Sequence, residues 1–175
     1  MPGPRQEHFR MLALYNRWAN TQLYQAAMQL PPERIKEDRG AFFKSVLGTL
    51  NHLVVADRIW MSRLEGMSPR GTRLDEVLYE NMQELHAARR TEDRRIITYV
   101  FNLEEGKTSA PLSYQTTSGA PMTEPTHHIL SHFFNHQTHH RGQAHDLICQ
   151  IAGAAKTPAI DLLIYQRAVA KDDAP

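Results

Sequence analysis

SVLGTLNHLVVADRIWMSRLEG, residues 45–66, carries apolar side chains on nearly every side. At about 100° per residue, Val46, Leu47, Leu50, Leu53, Val54, Val55, Ile59 and Trp60 spread around the helix instead of gathering in one stripe. With Phe42 and Phe43 ahead of them they predict a helix from about Gly40 to Glu65. A helix apolar all round has to be covered all round, so it belongs at the centre of an assembly of helices. Gly66 stands where a C-cap belongs, and Pro69 follows it. His52 and Asp57 interrupt the apolar run, and both need partners if they are buried.

The neighbouring segments supply the cover. From about Arg5 to Leu30, Met11, Leu14, Tyr15, Trp18, Leu23 and Tyr24 recur at helical spacing until Pro31-Pro32 ends the run. From about Leu74 to Phe101, Leu74, Val77, Leu78, Leu85, Ile96 and Val100 form a weaker stripe among charges, as on an outer helix. LSYQTTSGAPM then offers two β-prone runs around the turn dipeptide Ser118-Gly119, which predicts a small hairpin. A fourth long helix starts near Thr123 as N-cap, with Pro125 in its first turn, and ends at Gly153. A short last helix opens at Thr157-Pro158 with Ile160, Leu162, Leu163, Tyr165 and Val169. The expectation is an all-α four-helix bundle with a hairpin before the fourth helix and a short C-terminal helix. Short linkers at 31–39 and 67–73 favour antiparallel neighbours, while residues 102–123 are long enough to cross the bundle.

Composition bounds the rest. A chain of 175 residues with 41% hydrophobic and 22% charged residues reads as one globular domain, residues 1–175. Net charge is +1, so nothing electrostatic points to nucleic acid or an anionic membrane. Arg89, Arg90, Arg94 and Arg95 make the only basic cluster, and the interleaved Glu92 and Asp93 suggest a solvated face of helical ion pairs. The single cysteine, Cys149, excludes an internal disulfide and a cysteine-cage zinc site and fits a reducing cytoplasm. The N-terminal stretch lacks a signal peptide's apolar core, and no apolar run approaches the roughly 18 residues that span a bilayer, so the chain is expected to be soluble and cytoplasmic.

The chemistry concentrates in FFNHQTHHRGQAHDLI, residues 133–148, where His136, His139, His140 and His145 fall within one short run. With His136 at zero, Ile129 and Leu147 lie near about +20°, Phe133 and Ile151 near about +60° and Ala144 near about +80°, which defines a core face. His140, near about +40°, shares that face. His132 sits at its edge, His139 lies further out, and His127 and His145 point away. An i, i+4 pair places two imidazoles side by side, the spacing of metal ligands. Spacing alone leaves metal ligation and a structural role equally open. Gln137 stands where a zinc protease of the HExxH type carries its glutamate, which excludes that mechanism. His52, on the central helix, is the best third ligand, because His8 and His86 sit among charged residues. Asp57 is expected in a buried salt bridge, with a role behind a metal ligand as the alternative.

These residues carry a family likeness. YNRWAN in the first helix, SVLGTLNHLVVADRIWMSRLEG, and the HxxxHRGQ pattern at His136, His140, Arg141, Gly142 and Gln143 resemble the DinB-like family of metal-binding four-helix proteins. The resemblance implies a bundle with a non-simple connection order, a metal triad of His52, His136 and His140, and a homodimer. It implies a divalent ion, whether nickel, zinc, iron or manganese, and relatives that are thiol-dependent transferases using low-molecular-weight thiols. His132 and His139 flank the pair and compete as ligands.

Two functions follow. In the first, the chain is a metalloenzyme of S-transferase or hydrolase type, whose open ion activates a thiolate or water. In the second, it is a non-catalytic metal-binding homodimeric stress protein. No catalytic base is assigned: Glu124 and Asp146 read as surface charges, and Cys149 points away from the core face.

Overall fold

The computed structural model describes residues 2–67 and 73–172. Four long helices form the bundle: α1 (Pro4–Met28), α3 (Val46–Leu64), α4 (Met82–Asn102) and α6 (Thr126–Ala152). Between them lie the short helices α2 (Pro32–Lys36) and α5 (Glu105–Thr108) and a hairpin of β1 (Pro111–Gln115) and β2 (Pro121–Pro125). A 3-10 turn at Ala154–Lys156 leads to α7 (Leu162–Asp172). The expected fold class holds, hairpin included; its strands pair antiparallel from Pro111 opposite Pro125 to Gln115 opposite Pro121. Among the described residues no helix is long and apolar enough to cross a membrane.

Several boundaries differ from expectation, each for a local reason. The central helix starts at Val46 because the Ser45 hydroxyl caps it, accepting from the Gly48 amide at 3.0 Å, and residues 40–45 form a turn. Its far end matches: Gly66 takes φ +78°, and Met67 N–H reaches Ser62 O at 2.7 Å in a Schellman cap. Pro69 lies outside the described residues. The next helix starts at Met82, since the Asn81 side chain accepts from the Gln83 and Glu84 amides. Leu74 and Val77 are therefore exposed loop residues. Thr123 and Pro125 belong to β2, so α6 has no Thr123 cap. The last helix begins at Leu162, beyond Thr157-Pro158 and Ile160.

Cross-helix pairs give the topology. Tyr24 meets His86, Asn20 meets Asp93 and Arg10 meets the Phe101 carbonyl, so α1 and α4 are antiparallel. Asp57 meets Arg89, Arg58 meets Glu92 and Glu65 meets Arg95, so α3 and α4 are parallel. His52 meets His140 and Trp60 meets His132, so α3 and α6 are antiparallel. Antiparallel neighbours across 67–73 are thus not what forms: α3 ends and α4 begins at opposite ends of the bundle. Residues 103–125 do not cross it either, because α4 ends where α6 starts.

The core has two apolar compartments. One gathers Leu23, Tyr24, Leu47, Leu50, Leu53, Leu85, Leu147 and Ile148; the other gathers Phe9, Met61, Ile96, Val100, Ile129, Leu130, Phe133 and Phe134. Between them all four helices contribute buried polar groups. Arg89 Nη1 donates to Asp57 Oδ2 at 2.5 Å and its Nε stands 3.1 Å from Asp93 Oδ1. Asp57 Oδ1 accepts from Gln137, and Asp93 accepts from Asn20 at 2.9 Å. Arg141 donates to Asn16 and lies over the Tyr15 ring. Burial raises the Asp57 carboxyl to about 6 while Arg89 pulls it down, so it remains ionised at neutral pH. The buried salt bridge expected at Asp57 is present. The expected solvated face at 89–95 is not: Arg89, Glu92 and Asp93 are buried, with Glu92 taken by Arg58 and Arg95.

Asp57→Ala leaves the Arg89 guanidinium buried without its nearest carboxylate and is expected to cost about 3–5 kcal/mol in urea unfolding. Glu37→Ala, which breaks exposed pairs with Arg34 and Arg39, is expected to stay within about 1 kcal/mol.

Candidate metal centre

His52 comes from the middle of α3, and His136 and His140 from successive turns of α6. Their ligand atoms all lie within 4.8 Å of one another, and among the described residues this is the group that can hold a metal ion. His52 Nε2 stands 3.3 Å from His136 Nε2. The ring centroids of His136 and His140 are 4.3 Å apart, as i, i+4 spacing requires.

Two of the rings are oriented from behind. His52 Nδ1 is 2.8 Å from the Leu74 carbonyl and His140 Nδ1 is 2.7 Å from Gln143 Oε1. Both partners are oxygens that only accept, so each Nδ1 carries the hydrogen and each Nε2 keeps its lone pair. Phe43 stacks on the His52 ring at 3.8 Å between centroids, with 15° between the planes. That stack depends on Gly48, because a Cβ there would lie 2.1 Å from the Phe43 carbonyl oxygen.

Burial lowers the pKa of His52 to about 4 and that of His136 to about 3, and the other imidazoles add to the depression at His136. Burial lowers His140 too. Three neutral nitrogen donors therefore face one point at neutral pH, a set suited to a borderline divalent ion such as zinc, nickel or iron more than to an oxygen-seeking one. The cleft above them has a volume of about 600 Å³ and is open on one side.

The structure separates the other candidates. His132 is exposed and its ring meets Trp60 at 5.0 Å; His139 is exposed, with Nε2 3.2 Å from Gln143 Nε2. His127 and His145 bond to the carbonyls of Thr108 and Pro158, on the far side as expected. His8 is exposed, whereas His86 is half-buried against Tyr24 and not simply solvated. Glu124 accepts from the Tyr114 hydroxyl and Asp146 from Gln150. Cys149 is a half-buried free thiol.

One geometric expectation needs correction. His136 and His140 do not point at the core axis, which runs through Gln137, Arg141, Phe134 and Ile148, all buried. They line its edge toward α3, half-buried. The parts the sequence reading missed are the Leu74 carbonyl, the Phe43 stack and the Gln143 contact. Gln143, three residues after His140, was the one with a visible spacing signal.

The comparisons with known proteins agree with this architecture. The profile of the DinB family matches residues 5–173. Protein DinB of Bacillus subtilis (strain 168) is 28% identical over 152 residues, covering 82% of this chain and 86% of that protein. The crystal structure of a DinB-like protein from Bacillus cereus superposes with a TM-score of 0.58 at 18% identity, covering 77% of this chain and 86% of that one.

Two outcomes are expected. Protons compete with an ion for Nε2 only near the ligand pKa, so zinc affinity measured by calorimetry should fall over a pH range displaced below that of ordinary histidines, and most steeply towards about pH 4 where His52 takes up its proton. A pH dependence centred on 6.5, the ordinary histidine value, contradicts the buried neutral set. Gly48→Ala should cost about 1–3 kcal/mol in thermal unfolding and weaken zinc binding, because the Phe43 turn must move off His52.

Proposed function

We propose that this chain, which belongs to the DinB family, is a metal-dependent enzyme that holds a divalent ion through His52, His136 and His140. The convergence of three neutral imidazoles, two of them oriented from behind, at the floor of an open cleft carries this reading. Three protein nitrogens leave coordination positions for a water or a substrate atom, the pattern of a catalytic site more than of a closed structural one. A bound ion there supplies Lewis acidity, lowering the pKa of the ligand that completes it.

The protein's own residues do the positioning. Leu74 and Gln143 set the tautomers of His52 and His140. Phe43 shields one face of the His52 ring. Asp57 and Gln137 tie α3 to α6 beside the ligands. The reaction class proposed is S-transfer or hydrolysis, with a small thiol as the co-substrate that the family likeness suggests; an ion held by His52, His136 and His140 would supply the Lewis acidity for it. A homodimer and a cytoplasmic setting belong to the same proposal.

Metal content by plasma mass spectrometry on tag-free protein tests it. Near-stoichiometric metal is expected in the original chain, in His132→Ala and in His139→Ala, with at least about a tenfold loss in His52→Ala and His136→Ala. Metal that survives both of the last two changes removes the trio. Cobalt-substituted protein then separates the two functions. A visible spectrum that shifts on adding a small thiol supports the enzyme, and one that does not supports a non-catalytic metal-holding protein.

A further inference from the structure

Phe42 is 86% exposed and Leu74 47% exposed, and both line the cleft over the three histidines. Phe42 stands in a tight turn where Lys44 N–H meets Ala41 O at 2.8 Å and Lys44 takes φ +66°. Glycine, asparagine, aspartate, proline and serine suit such turns; two phenylalanines followed by a strained lysine do not. Phe43 earns its place by stacking on His52. Phe42 gains little for folding, because beyond an edge-on contact with Phe43 at 4.8 Å its ring stays in water. A local rule broken for so little folding benefit marks a surface with another use.

The charges in the cleft narrow that use. Among the described residues no lysine or arginine lines it, and its carboxylate is Asp75, held by Arg73 at 2.8 Å. The described lining is thus mostly aromatic, aliphatic and imidazole, with the nearby Arg73 already engaged by Asp75. The volume of about 600 Å³ is the scale of a small molecule. Among the described residues the cleft offers two exposed apolar side chains, far less than the roughly 800 Å² per partner that a stable self-association buries.

We infer that the cleft receives a small molecule whose metal-binding atom is attached to an uncharged apolar group, and that this group lies on Phe42 and Leu74. The inference rests on the metal reading above and adds the substrate class to it. The same two segments that offer this surface also orient His52, through the Phe43 ring and the Leu74 carbonyl. An apolar group seated there therefore presses on the elements that aim the ligand.

The test uses cobalt-loaded full-length protein and three probes with one metal-binding head: acetohydroxamate, benzohydroxamate and the carboxylate-bearing succinohydroxamate. Binding is read from the cobalt visible spectrum, each affinity normalised to that for free cobalt. Benzohydroxamate is expected to bind at least about tenfold tighter than acetohydroxamate, and succinohydroxamate no tighter than acetohydroxamate. Phe42→Ala should remove most of the benzohydroxamate advantage while leaving acetohydroxamate affinity and cobalt content unchanged. Equal normalised affinities, or an advantage that survives Phe42→Ala combined with Leu74→Ala, overturn the inference. A change in oligomeric mass on Phe42→Ala with no change in affinity overturns it in favour of a contact between copies. Cobalt content is measured first: its absence removes the metal reading and this inference with it, whereas bound cobalt with equal affinities removes this inference alone.

Discussion

Asp57 and Arg89 form an ion pair at 2.5 Å, each 1% exposed, in the middle of a helical bundle. Neither charge can be left there alone, since an unpaired buried charge costs several kcal/mol. Several of the remaining polar atoms find partners on the other long helices: Gln137 of α6 donates to Asp57, and Asp93 of α4, itself bonded by Asn20 of α1, stands 3.1 Å from Arg89 Nε. Apolar packing alone tolerates small slides of one helix along another. A layer of directional bonds does not, because a one-residue slip turns a helix by about 100° and breaks all of them.

The candidate metal centre inherits its accuracy from that layer. Gln137 follows His136 directly, and Asp57 lies just over one turn beyond His52. The hydrogen bond between Gln137 and Asp57 therefore sets the registration of α3 on α6 that brings the two imidazoles to 3.3 Å. The polar layer and the histidine cluster are two sides of one contact, one facing the bundle axis and the other facing solvent. A bundle built on leucine alone would have no such reason to place His52 opposite His136.

The legible and the illegible follow from what periodicity can register. The apolar run at 45–66 and the i, i+4 histidines were readable because both are spacing signals, and they lead to the fold class and to the three residues that meet. The orientation of α6 came out rotated, because Gln137 and Arg141 are polar by type yet lie on the core axis. The same blindness assigned Glu92 and Asp93 to the surface. Helix starts at Ser45 and Asn81 were written in their capping side chains, but the apolar residues ahead of them, Phe42, Phe43, Leu74 and Val77, imitate helix stripes. Chain direction was unreadable because linker length does not say which helices a buried ion pair will bring together.

Those misread apolar residues are what complete the site. His136 and His140 are held by a single rigid helix, so their separation is a property of α6. His52 is different: its ring is aimed by the Leu74 carbonyl on one side and the Phe43 ring on the other, both from connecting segments. One of those segments carries a left-handed Lys44 and leans on a glycine that admits no side chain. Two ligands are thus set by helix geometry and the third by loops, within a frame the ion pair holds still. Such an arrangement lets the loops respond to what binds in the cleft without disturbing the bundle. On the proposal of a ligand at Phe42 and Leu74, the direction of the third nitrogen is then the variable that such a ligand would change.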